Sequence, residues 1–292
     1  MPGDGSPTVR RLRLAVELHR LRERAGLTGD QAADALGWSP SKISRVENAR
    51  SGVSVSDARK LLGLYGVEES HRNELTALAR EASRKGWWEA YSDNLNDDLI
   101  EFIGMEAEAT SAWNWEPQIV PGLLQTEAYA RELIGGWQRF ARITPSAIDS
   151  RVESRLVRQR RLNGEGRLRL WAVMDEAVLH RRFGSDSVMR EQLQHLIKLS
   201  KQDNISLRLL SLDGGQPVGT AAFVYYKFPQ VHDISLHDVV WLEQLTRNFK
   251  VQQKDEVYQY ELAFEELFNE SLPPPASRDV IAAAIEQRWS QP

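Results

Sequence analysis

Apolar positions recur at helical spacing through the first 85 residues, in short runs closed by glycine. Leu12, Val16 and Leu21, with Arg20 beside them, mark a helix ending at Ala25 and Gly26, where glycine suits a left-handed cap. Thr28 is placed to cap a second helix through Leu36, with Ala32, Ala33 and Leu36 inward, and Gly37 ends it. Ser39 followed by Pro40 starts a third, since serine caps a helix and proline tolerates its first position. Ser54 or Ser56 starts a fourth, using Val55, Ala58, Leu61, Leu62 and Tyr65 before Gly66. A fifth covers residues 68–84, with Leu75, Leu78, Ala79 and Ala82 on one face. Residues 1–8, rich in Gly, Pro, Ser and Asp, are expected to be a disordered tail.

The pattern changes after Lys85-Gly86-Trp87-Trp88. Helices are expected over residues 95–112, 122–135, 146–162, 175–201 and 257–268. Strands are expected over 113–120, 167–174, 205–210, 221–228 and 239–242, where period-two alternation or short β-rich runs appear. Pro273-Pro274-Pro275 breaks the chain before a last helix over 279–289. The fold class read from this is multi-domain: an all-α five-helix N-terminal domain, then an α+β C-terminal domain with a small sheet. The expected boundaries are a tail at 1–8, an all-α domain at 9–85, an α+β domain at 86–272, and a Pro-rich break with terminal helix at 273–292.

Composition narrows the function classes. The chain has 292 residues and no cysteine, which excludes disulfides, thiol catalysis and Cys-based zinc sites. No apolar run approaches a membrane span, and the arginine-interrupted start does not read as a signal peptide, so a cytoplasmic protein is expected. Net charge is −4, but it is unevenly spread: residues 1–85 hold 15 basic against 11 acidic residues, the remainder 22 against 30. A basic head on an acidic body suits a nucleic-acid-binding head.

The stretch "LTGDQAADALGWSPSKISRVENAR" is a helix, a tight turn and a second helix. Ile43 and Val46, apolar and three apart, should face the core. Ser41, Lys42, Arg45 and Asn48 then lie outward, with Ser44 at the edge. These side chains can hydrogen-bond base edges or phosphates in a major groove that admits an α-helix. Arg50 is a phosphate contact or a solvated charge, and Glu47 is expected to pair with an arginine of the bundle. Residues 10–80 resemble the lambda-repressor-like, XRE-type helix-turn-helix regulators, whose third-helix pattern "SPSKISRVENAR" is similar to. That resemblance implies DNA contacts from Ser39, Ser41, Lys42, Ser44, Arg45, Asn48 and Arg50. Gly29 stands where many relatives carry a phosphate-binding Gln, a role Gln31 could partly take. Ala49 stands where Gly is usual, which was expected only to remove flexibility at the helix end.

The blocks "EPQIVPGLLQTEAYAREL", "RQRRL", "MDEAVLHRRFG" and "MREQLQHLIKLS" are similar, in this order, to the C-terminal domain of actinomycete WhiJ-like, antitoxin-like regulators. The resemblance implies binding to double-stranded DNA, a small protein partner encoded nearby and no cofactor. A homodimer on a two-fold operator is the expected assembly. Two alternatives stay open: a regulator head fused to a nucleic-acid-processing enzyme domain, and a pure protein-interaction module.

Other candidates weigh less. The arginines of 151–161 read as a solvated or acid-paired helix face. His232, Asp233, His237 and Asp238 do not make a metal set, because positions 232 and 237 face opposite sides of a strand. Asp175 and Glu176 fit a helix start. "DGGQPVG" lacks the lysine of a phosphate loop. No catalytic constellation can be assembled. Trp87, Trp88, Trp113 and Trp115 read as core, and a cleft among them would be the place to seek an effector.

Overall fold

The computed structural model describes residues 6–139, 141–214, 219, 221–231, 234, 236–244 and 248–290. The chain forms two compact units: residues 3–89 with 229–236 (the head), and residues 90–228 with 237–292 (the body).

The head is five helices: α1 (Pro7–Arg24), α2 (Gly29–Leu36), α3 (Pro40–Glu47), α4 (Val55–Leu64) and α5 (Glu69–Ala82). Local signals set most boundaries. The side chains of Thr28, Ser39 and Ser54 each accept a backbone N–H of the first turn. Gly26, Gly37 and Gly66 take positive φ where the helices end, a region that penalises a Cβ. The core gathers Leu14, Leu18 and Leu21 of α1 against Ala32, Ala33, Ile43, Val46, Leu61 and Leu75.

Three expectations for the head are corrected. Residues 6–8 of the expected tail are not tail, because Ser6 caps α1 and Pro7 begins it, while residues 1–5 lie outside the described residues. The inward face of α1 is turned from the expected one: Val16 is 42% exposed, while Leu14 and Leu18 are buried. The face is set by partners as well as by hydropathy, since Arg13 and Glu17 are also buried and hydrogen-bonded. Finally, residues 229–236 belong with the head and not with the contiguous 86–272 domain. Ile234 joins the helical core, and Arg13 Nη2 donates to the Pro229 carbonyl at 2.6 Å.

The body contains α6 (Asp97–Glu108), β1 (Ser111–Glu116), α7 (Glu127–Gly135), α8 (Pro145–Arg158), β2 (Arg169–Asp175) and α9 (Asp186–Leu199). There follow β3 (Ile205–Leu210), β4 (Phe223–Lys227), β5 (Val239–Leu242), β6 (Phe249–Val251), α10 (Lys254–Glu270) and α11 (Pro274–Arg288). The sheet is mixed and six-stranded, in the order β3-β2-β1-β4-β5-β6. The first three strands are mutually parallel, and β4, β5 and β6 run antiparallel to their neighbours. Alternation along each strand divides its side chains between two faces. Trp115, Phe223 and Tyr225 pack with Val257, Phe264 and Leu267 of α10. Asn114, Glu116, Val224 and Tyr226 face the other side.

The Pro-rich break does not release a separate tail. Pro274 and Pro275 open α11, which packs on α9 and β3. Trp289 beyond its end is fully buried, donating from Nε1 to the Leu179 carbonyl at 2.9 Å. Two expected long helices are divided. Residues 122–124 form a 3-10 turn ahead of α7. Asp175 caps a 3-10 turn over Glu176–Leu179, well before α9. Strand β6 had no visible signal in three residues.

Candidate nucleic-acid interface

Helix α2 begins in a reciprocal box: Gln31 N–H donates to Thr28 Oγ1 (3.2 Å), and Thr28 N–H donates to Gln31 Oε1 (2.8 Å). Gly37, at φ 66°, turns the chain sharply out of α2. Ser39 Oγ accepts the Lys42 N–H at 3.3 Å, and Pro40 pre-sets the first turn of α3. Ile43 and Val46 are buried, which fixes the roll of α3.

The opposite face of α3 presents Ser41, Ser44, Arg45 and Asn48, all exposed. Ser41 Oγ lies 3.0 Å from Ser39 Oγ, and Arg45 Nη1 reaches it at 3.5 Å. Asn48 Nδ2 donates to the Ser44 carbonyl at 2.8 Å. Arg50 is exposed just past the helix, and Gln31 is exposed on α2. Lys42 stands apart from the others. Its ammonium pairs with Asp57 Oδ2 at 2.9 Å and lies 3.6 Å from the centre of the Trp38 ring. Trp38 and Asp57 were not foreseen: Trp38 lies four residues before Lys42 but ahead of the start of α3, and Asp57 belongs to α4.

A part-buried ion pair holds the far end of α3. Arg22 forks onto Glu47, Nε to Oε1 at 2.8 Å and Nη2 to Oε2 at 2.9 Å, while Nη1 donates to the Leu27 carbonyl. His19 Nδ1 and the Tyr65 hydroxyl also reach Glu47. Burial alone would push the Glu47 carboxyl up, but hydrogen bonds from Arg22 and His19 outweigh it and hold it below the usual range. The expected arginine partner for Glu47 is therefore present. Ala49 follows at φ 53°, so its missing glycine costs backbone strain, beyond the loss of flexibility expected.

The remaining sequence candidates are placed as follows. His232 and Asp233 lie outside the described residues, as do positions 215–218 of "DGGQPVG". Asp238 accepts the Tyr225 hydroxyl at 2.7 Å. Among the described residues, no group of three or more His, Asp or Glu side chains could hold a metal. Asp175 Oδ1 caps the Ala177 N–H at 2.8 Å, as its place at a helix start suggested. Of the two readings of the arginines of 151–161, acid pairing holds for Arg158, and Arg155 and Arg161 are drawn onto polar groups of the body and not left solvated. Arg158 forks onto Glu106, Arg155 reaches Gln125, and Arg161 donates to the Ala109 carbonyl. Trp88 and Trp115 are core, whereas Trp87 is 37% exposed.

A family model described as a domain of unknown function (DUF5753) matches residues 99–283, more than half the chain. The chain belongs to that family. Within this DUF5753 protein, a model described as a helix-turn-helix domain matches residues 13–75, spanning most of the head from α1 into α5. No curated protein and no solved structure matches the chain. The DUF5753 protein thus carries a helix-turn-helix head ahead of an α+β body. Among the described residues, no helix is long and apolar enough to cross a membrane.

Proposed function

We propose that the chain is a transcription regulator that binds double-stranded DNA sequence-specifically as a homodimer. Helix α3 would lie in the major groove, and the body would answer a small protein partner or effector. The observation that carries this is the division of α3. Ile43 and Val46 hold it to the core, while Ser41, Ser44, Arg45 and Asn48 stand in one exposed row behind the capped α2 and the Gly37 turn. Arg45 suits a guanine edge and Asn48 an adenine edge.

Lys42 remains among the readers despite its pair with Asp57. Both partners are partly exposed, so the pair is worth about 0–1 kcal/mol. A good base contact is worth about 1–3 kcal/mol, enough to draw the ammonium away. Ser39 and Gln31 already serve their helix caps, so they would approach the phosphates next to α3 instead of bases. Arg50 would also meet phosphate. The likeness of the body to WhiJ-like regulators supports the protein partner.

The test is selection of bound duplexes from a random double-stranded library by the full chain. The expected product is one recurrent two-fold motif with half-sites about one helical turn apart. A bound pool without a shared motif would contradict sequence-specific reading.

A further inference from the structure

A partly open pocket of about 140 Å³ lies on the sheet face of the body opposite α10, between the strands and the helices α6, α7 and α8. It is not the tryptophan cleft the sequence suggested, since none of Trp87, Trp88, Trp113 and Trp115 lines it. The alternation of β1 and β4 sends Glu116 and Tyr226 into it, and α8 adds Arg155 and Arg158.

Part of this charge is internally satisfied. Arg158 forks onto Glu106 at 2.7 and 2.8 Å, and the Tyr226 hydroxyl donates to Glu106 at 3.1 Å. Arg155 and Glu116 are different. Arg155 spends Nη1 on Gln125 Oε1 at 2.6 Å, but its buried Nε–H has no acceptor. Glu116 faces the same space without direct pairing to Arg155, and Glu243 stands exposed nearby on the lining. Burial, reinforced by the like charge of Arg158, brings Arg155 down to about 10. Burial, reinforced by Glu243, pushes Glu116 up to about 8. Arg155 therefore keeps a buried N–H open to an anion, and Glu116, near it on the same lining but with no direct ion pair, leaves room for a cation between the two acids Glu116 and Glu243. The walls between them are apolar, with Phe102, Leu133 and Ile134 among them.

We propose that this cavity binds a small zwitterion of free amino-acid size, its carboxylate on Arg155, its ammonium on Glu116 and Glu243, and its apolar side chain against Phe102 and Ile134. The size fits, because a cavity of about 150 Å³ holds a molecule as large as benzene. One ligand with both charges satisfies both stranded groups at once, whereas a simple anion or amine satisfies one. The inference deepens the reading of the body as an effector-sensing unit and rests on it for its biological meaning.

The test is calorimetric titration of the full chain, without DNA, with L-valine and L-leucine. 4-Methylpentanoate and 3-methylbutylamine serve as the analogues lacking one charge. The expected result is saturable binding of at least one amino acid, with each analogue at least tenfold weaker. Arg155→Gln and Glu116→Gln should each abolish it. Leu133→Phe, which fills the space without touching a charge, should also block it in a chain that still melts cooperatively. No saturable binding of either amino acid, equal binding of an analogue, or undiminished binding in folded Leu133→Phe would overturn the proposal. Binding that leaves operator affinity unchanged would support the site and defeat only the effector-sensing reading.

Discussion

Ala49 holds a left-handed conformation at φ 53° that side chains with a Cβ adopt only at a cost. Ala49→Gly should therefore stabilise the head by about 1 kcal/mol, measured by urea unfolding, provided the relief exceeds the entropy that glycine adds to the unfolded chain. Glu47 works in the opposite direction. Removing it strips the part-buried Arg22 of its acid, so Glu47→Ala should cost about 1–3 kcal/mol. Its folded pKa lies below the ordinary 4.5. Its contribution is thus complete above that value and is lost as pH falls through the folded pKa, so the deficit of the variant should shrink in acid. Glu116 has the reverse sign. Its folded pKa of about 8 exceeds the unfolded 4.5, so the folded state binds the extra proton and loses stability as pH rises between the two. Glu116→Gln should match the parent chain at pH 4 and exceed it by on the order of 4 kcal/mol at pH 8.5, in paired thermal melts.

At the scale of elements, α3 would separate packing from the proposed reading of DNA. Ile43→Ala should cost about 2–5 kcal/mol of head stability, since it empties a buried site. Arg45→Ala, on the exposed face, should leave the urea midpoint nearly unchanged and weaken specific binding, a contrast visible by running both assays on both variants. The head helices were largely legible because their ends are written locally. Thr28, Ser39 and Ser54 cap, and the glycines stop, within a few residues of one another. Elements defined by distant partners were not legible. The roll of α1 depends on buried Arg13 and Glu17, whose partners include Pro229 and His71. Strand β6 exists because β5 pairs with it, and α11 is fixed by Trp289 against Leu179. The outward row on α3 was readable from Ile43 and Val46 alone, whereas the pairing of Lys42 with Asp57 on α4 needed the tertiary fold. The buried Glu106–Arg158–Tyr226 set was missed for the same reason, since it joins residues up to 120 positions apart.

At the scale of the molecule, the charge is divided by sequence, with the basic surplus in residues 1–85 and the acidic surplus beyond. In the proposed regulator, the basic head would give affinity through phosphates, and the acidic body would limit non-specific attachment to DNA. Operator binding should therefore fall steeply with salt. A dimer making about 6–10 phosphate contacts would lose roughly 10³–10⁵ in affinity between about 50 and 200 mM. A flat salt response in equilibrium titrations would rule out this mode. The most direct measurement is the affinity of a Lys42→Ala, Arg45→Ala double variant for the duplex selected by the parent chain, taken together with its urea midpoint. The expected result is at least about hundredfold weaker binding, from two lost contacts of about 1–3 kcal/mol each, in a head whose stability stays within about 1 kcal/mol of the parent. Parental affinity in the folded double variant would contradict the assignment of α3 as the reading helix.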